Sequence, residues 1–193
     1  MNPVIEANKR EVRSKSSIKN IRRNGNVPAM LCARSNHPSP QNIAVDGKSL
    51  AAFMRQLKPG YLPTTKISLN LKDIKETLDV IVNEISYHRV TGEIIHLTFK
   101  PLEKGQSVNV IVPIRVTGLD ECVGIKAGGA LVMIMNHVPV RAKVEEIPYE
   151  VVADIAGLNI KQSIRVSELA GLEKVQVLCN ARHSFAKIAK MKA

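Results

Sequence analysis

Seven cations crowd one short stretch of this chain: Arg10, Arg13, Lys15, Lys19, Arg22, Arg23 and Arg34 fall within 25 residues. Guanidinium forks and ammonium groups are the side chains that hold phosphate oxygens, the first in two places at once and the second as point charges. Lys15, Lys19 and Arg22 are spaced i, i+4 and i+7, so on a helix they share a face. Ser16 lies in the same run and joins the candidate contact set. The bland alternative for such a run is a solvated charged loop. If about five phosphates are neutralised, log K against log salt should have a slope of about −4.

The other residues with chemical potential are few. None of the five histidines, His37, His88, His96, His137 and His183, has a Cys or carboxylate neighbour at a metal-ligand spacing. His88 and His96 are eight apart and are candidates for one polar surface, and Thr98 follows on the same strand face as His96. Gly124, Gly128 and Gly129 form neither G-x-G-x-x-G nor a phosphate-binding loop, and a β-turn is expected there. G-x-S-x-G and H-E-x-x-H are absent. The residues point to binding and not to catalysis, with no metal and no cofactor. A histidine-based enzyme acting on RNA has only His88 and His96 in its favour and is set aside.

Bulk charge agrees. The net charge is +11, and residues 1–34 carry 8 Lys/Arg against 2 Asp/Glu. Residues 1–100 net +8 and residues 101–193 net +3, so a polyanion meets the first half first. With aromatics at 3%, base stacking has little to work with, and binding rests on backbone and shape, as when an RNA helix is read across its minor groove. Cys32, Cys122 and Cys179 are odd in number and far apart, which fits a reducing compartment. No apolar run reaches the roughly 18 residues of a membrane span. Met1-Asn2-Pro3-Val4 does not open like a signal peptide.

These residues need elements to position them. Pro3 to Ala7 reads as a strand. Ser14, Ser16 and Ser17 offer helix N-caps and Gly25 a C-terminal stop, which brackets a short helix carrying the basic face. Ile18 and Ile21 point elsewhere and anchor it. Val27 to Leu31 reads as a strand. Asp46 can cap a helix whose Leu50, Phe53, Met54 and Leu57 form an apolar stripe, ended by Pro59-Gly60. Strands follow at 67–71, 78–85 and 95–99. The last alternates so that His96 and Thr98 turn away from the core. The Pro/Gly-marked stretch Lys100 to Gln106 places a boundary between residues 1–100 and 101–193. The second half reads as all-β, with strands near 108–116, 131–135, 138–144, 150–155, 162–166, 174–179 and 185–189, a small sandwich or barrel.

Four stretches in consistent order carry a resemblance. They are Arg10 with Lys15 and Lys19-Asn20-Ile21-Arg22-Arg23-Asn24-Gly25-Asn26-Val27-Pro28-Ala29; Val82-Asn83-Glu84-Ile85 through His88 to Gly92-Glu93-Ile94-Ile95-His96-Leu97-Thr98-Phe99; Val112-Pro113-Ile114 with Gly124 to Leu131; and Ile147-Pro148 with Asp154-Ile155-Ala156-Gly157-Leu158. Together they resemble the bacterial large-subunit ribosomal protein twenty-five family in its long two-domain form, the general stress protein Ctc family. The resemblance implies a mainly β chain with short helices: an N-terminal β-barrel with helices, similar to the anticodon-binding domain of glutaminyl-tRNA synthetase, and a β-rich C-terminal domain. It implies 5S rRNA as partner, with 23S-type rRNA and neighbouring large-subunit proteins as further candidates, on a bacterial or mitochondrial ribosome. By position, Arg10, Lys15, Lys19 and Arg22 match the family's RNA-facing cations and His96 the histidine of its His-x-Asp-Phe motif. The chain departs from the family at Cys32-Ala33 for Tyr-Gly, Ser86 for Gln, Arg89 for Pro and Thr98 for Asp. The alternative is a non-ribosomal, stress-related RNA-binding module.

Overall fold

Period-two burial builds the first half. Ile5 and Ala7, Ile43 and Val45, and Ile67, Leu69 and Leu71 are buried while their neighbours face outward, so each run is a strand with one apolar face. In this computed structural model, which describes residues 3–10, 15–34, 37–72, 76–103, 105–173, 175–180 and 182–190, the strands close into a barrel. They are β1 (Val4–Lys9), β2 (Asn26–Leu31), β3 (Gln41–Asp46), β4 (Ile67–Leu71), β5 (Glu76–Tyr87) and β6 (Ile94–Pro101), in the order β1-β3-β2-β6-β5-β4. Closure leaves no free sheet edge. The interior is packed with Ile, Leu and Val around Phe99.

Two helices accompany the barrel: α1 (Lys15–Arg23) and α2 (Gly47–Gln56). α1 ends as the sequence reads: Gly25 takes the left-handed conformation at φ 78° and its N–H donates to the Arg22 carbonyl. Ser16 and Ser17 lie inside α1 and not at its cap, and Ser14 lies outside the described residues. α1 packs on β2, with Ile18 and Ile21 half-buried. Asp46 caps α2, accepting from the Ser49 backbone N–H at 2.9 Å and from its hydroxyl at 2.6 Å. The stripe Leu50, Phe53, Met54 and Leu57 packs on the barrel core.

These contacts hold the Asp46 carboxyl below its ordinary 3.8, chiefly through the Ser49 hydroxyl and then the Ser49 backbone. The cap's contribution is therefore present above that value and is lost as pH falls through the lowered one. We expect Asp46→Ala to cost about 1 kcal/mol in denaturant unfolding at pH 7. The difference should shrink below pH of about 4.

The two helices also meet end to end. Gly47 donates its N–H to the Gly25 carbonyl at 3.1 Å, and a Cβ on Gly47 would fall on that same carbonyl oxygen. Only glycine permits this approach, which ties the end of the basic helix to the start of α2.

β5 is longer than the 78–85 read from the sequence and carries a bulge. Val82 pairs with Phe99 but Glu84 with Thr98, leaving Asn83 as the extra residue. Val80 and Val82, before the bulge, face the barrel core, while Ile81 between them is also buried but is not part of that core cluster.

The chain divides into two units, Met1–Lys104 and Gly105–Ala193. The second contains β7 (Ser107–Thr117), a one-turn helix α3 (Val123–Lys126), β8 (Gly129–Met133), β9 (His137–Lys143), β10 (Val151–Asp154), β11 (Ser163–Arg165), β12 (Gln176–Val177) and β13 (Ser184–Lys190). They form two sheets, β10-β7-β9-β12 and β11-β13-β8. The β-turn expected at Gly124–Gly129 is instead α3 followed by a left-handed Gly128. Gly129 is there for packing: a Cβ would lie 2.6 Å from both the Gly124 carbonyl oxygen and Ile188 Cγ2.

Candidate nucleic-acid interface

The cations of α1 stand outward. Lys19, Arg22 and Arg23 are exposed, and Lys19 and Arg23 make no ion pair or hydrogen bond among the described residues. No acidic residue occupies the first turn of α1. Lys15 opens the helix, but its side chain lies outside the described residues, and so does all of Arg13. Ser16 is exposed in the first turn.

Tertiary contacts fix the helix against β6. The Arg22 guanidinium donates to the Ile95 carbonyl at 3.3 Å, which puts the end of α1 beside His96. Arg10 arrives from the other side. Its backbone N–H donates to the Asn42 carbonyl, and its guanidinium donates to Asn42 Oδ1 at 3.1 Å and to the Ile43 carbonyl at 3.2 Å.

His96, next to Ile95 and half-buried, feels the charges of both arginines. Burial lowers its pKa first, the Arg10 charge next, and Arg22 also contributes, while Glu84 pulls the other way. Arg10, Arg22 and His96 therefore form one electropositive spot on the barrel wall, continuous through Arg22 with the exposed cations of α1. The supporting groups Asn42, Glu84 and the Ile95 carbonyl have no linear signal. Asn42 is 32 residues from Arg10, Glu84 is 12 from His96 and Ile95 is 73 from Arg22.

Three expected contacts stand differently. Arg34 is engaged within the fold. Its Nη1 and Nη2 donate to Glu76 Oε1 and Oε2 at 3.0 and 2.9 Å, a bidentate pair, with the Arg34 side chain only 6% exposed. Glu76 is correspondingly held below the ordinary carboxylate value, by the Arg34 hydrogen bond above all.

Thr98 alternates outward as expected but is 6% exposed. It lies mid-sheet, with Met30 and Glu84 as its register partners on either side. Long side chains in one row shield a short one.

His88 closes the β5–β6 turn. Its Nδ1 accepts the N–H groups of Val90 and Thr91 at 3.4 and 3.2 Å, and its backbone N–H donates to the Glu93 carbonyl. It is two residues beyond Ser86, the register partner of His96.

A polar depression of about 200 Å³ opens among Glu6, Asn8, Asn26, Ala44, Asp46 and Lys72. The Lys72–Glu6 ion pair at 2.7 Å lines it, and none of the α1 cations does.

A closed barrel with an exposed basic helix and an adjoining Arg/His spot defines a class: a β-barrel protein with a surface suited to holding a polyanion. Comparisons with known sequences narrow the class. The sequence model of the ribosomal L25p family matches residues 5–99, and that of the ribosomal protein TL5 C-terminal domain matches residues 107–192. The large ribosomal subunit protein bL25 of Chlamydia trachomatis serovar L2 is 31% identical over 181 residues, covering 94% of this chain and 96% of the relative. The Chlamydia abortus protein of the same name is 32% identical over 172 residues, covering 88% and 91%. The chain belongs to the bacterial ribosomal L25p family in its long, two-domain form. It is a structural, non-enzymatic constituent of the large ribosomal subunit, and its place is the ribosome.

Proposed function

We propose that this protein binds 5S rRNA through the basic face of its N-terminal unit, and so helps hold that RNA in the large subunit. One observation carries the reading: Lys19, Arg22 and Arg23 project from a helix whose end is tied to β6 beside His96 and Arg10. Lys15, Arg13 and Ser16 belong to the same proposed surface. Thr98 and Arg34 contribute from behind, Thr98 by filling the wall and Arg34 by holding Glu76. His88 shapes the hairpin at its end. The cationic, aromatic-poor surface favours contact with phosphates and 2′-hydroxyls of a folded helix over base stacking.

The histidine adds a pH signature. Its folded pKa lies below 6.5, so its contribution to stability is full above that value and declines as pH falls through the lowered one. Phosphates beside Arg10 and Arg22 would offset those charges and favour imidazolium, so binding takes up a proton. We expect affinity for 5S rRNA to rise severalfold between pH of about 7.5 and 6, and His96→Gln to flatten the trend. Filter binding or anisotropy at constant salt checks it. Equal pH slopes for the two proteins would remove His96 from the interface.

A further inference from the structure

The C-terminal unit has an open sheet face with its own character. In the sheet β10-β7-β9-β12, Val108, Val110, Val112, Val138 and Val140 point inward and are buried. The residues between them point outward in register rows. One row is Asn109, Arg141 and Gln176, all exposed. The next is Ile111, Pro139 and Leu178, the last aligned through its N–H to the Pro139 carbonyl. Ile111 is 45% exposed and Leu178 47%. Lys143 continues the cationic side of the face, opposite Ser107.

Two features make this more than an ordinary solvated face. The charge is of one sign: no carboxylate stands in these rows, and neither the Arg141 nor the Lys143 side chain has an ion-pair or hydrogen-bond partner among the described residues. Glu145 and Glu146 sit beyond the strand end, where Glu146 donates its N–H to the Lys143 carbonyl, and pair with neither cation. The apolar residues are contiguous. Three adjacent strands at about 4.8 Å spacing set Ile111, Pro139 and Leu178 side by side as a strip about 10 Å long.

We propose that this face docks a segment of another protein, one that presents aliphatic side chains to the Ile111–Pro139–Leu178 strip and carboxylates to Arg141 and Lys143. The charge selects an acidic partner, and the strip selects a protein over RNA. Branched aliphatic side chains offer no plane for a base to stack on, and two cations supply little of the phosphate neutralisation on which RNA binding depends. An apolar centre beside charged and amide groups is the layout of a protein–protein contact. Asn109 and Gln176, flanking Arg141, are placed to hydrogen-bond the partner's backbone. This inference rests on the ribosomal family membership and not on the 5S rRNA reading.

The test uses the full chain, carrying a photoreactive amino acid in place of Ile111, rebound to bacterial large subunits stripped of their own family member. Occupancy is quantified before irradiation, and binding to isolated 5S rRNA is measured on the same samples. The expected result is a crosslink to a ribosomal-protein peptide with Asp or Glu near aliphatic residues. That crosslink should fall at least about tenfold in Arg141→Glu/Lys143→Glu at equal occupancy, with Arg141→Gln/Lys143→Gln intermediate. A crosslink to rRNA, no crosslink on occupied subunits, or a yield indifferent to both double variants would overturn the proposal. Wild-type protein absent from the subunits would overturn it too. Isolated 5S rRNA binding is scored separately, so failure of that reading is recognised independently.

Discussion

Replacing Lys19, Arg22 and Arg23 together by alanine should weaken 5S rRNA binding by roughly 10²–10³-fold at about 0.1 M salt. Each phosphate contact contributes about 0.7–0.9 to the slope of log K against log salt, so three contacts give close to tenfold apiece at that concentration. The slope itself should fall from about −4 to about −2. The side chains lie on the exposed side of α1, whereas Ile18 and Ile21 are half-buried, so the fold should survive. Arg22 alone has a structural bond, to the Ile95 carbonyl at 3.3 Å. Circular dichroism and thermal melting on the triple variant separate lost contact from lost structure. An unchanged slope would mean that the RNA meets another surface.

Glu76→Ala should destabilise the N-terminal unit by about 2–3 kcal/mol, more than Arg34→Met. The asymmetry follows from exposure: the Arg34 side chain is 6% exposed and Glu76 37%. Removing the carboxylate strands a nearly buried cation, whose Nε already lacks a hydrogen-bond partner. Removing the arginine leaves a carboxylate that water can reach, which costs about 1 kcal/mol. The first figure is set below the usual cost of breaking a fully buried pair because Glu76 is partly solvated. Urea unfolding measures both. Arg34→Met should also leave the salt slope of RNA binding unchanged, since Arg34 faces Glu76. A slope reduced by about one unit would return Arg34 to the RNA contact set.

Much of the barrel was legible because its information is local. Alternation marks β4 and β6, the Asp46 cap and four-residue stripe mark α2, and Gly25 marks the end of the basic helix, whereas β3, whose Ile43 and Val45 alternate over only six residues, does not read as a strand. The basic face was legible for the same reason, being set by i, i+4 spacing alone. The parts missed depend on distant residues. Arg34 looked like the other cations until folding brought Glu76, 42 residues on, within 3.0 Å. Alternation did give the direction of Thr98, but not the Met30 and Glu84 neighbours that close over it. The Asn83 bulge has no local mark, because only the pairing of Val82 with Phe99 and of Glu84 with Thr98 reveals the extra residue. The glycines near 124–129 looked like a turn because nothing local reveals that Ile188 packs against them.

The central claim is that a cationic face near the amino terminus grips one particular folded RNA. Its most direct test is competition binding of the full chain to 5S rRNA and to an unrelated structured RNA of equal length, across a salt series. The account predicts a slope of about −4 for 5S rRNA and a preference of at least about 10³-fold that persists as salt rises. Equal affinity for the two RNAs at every salt concentration would contradict it.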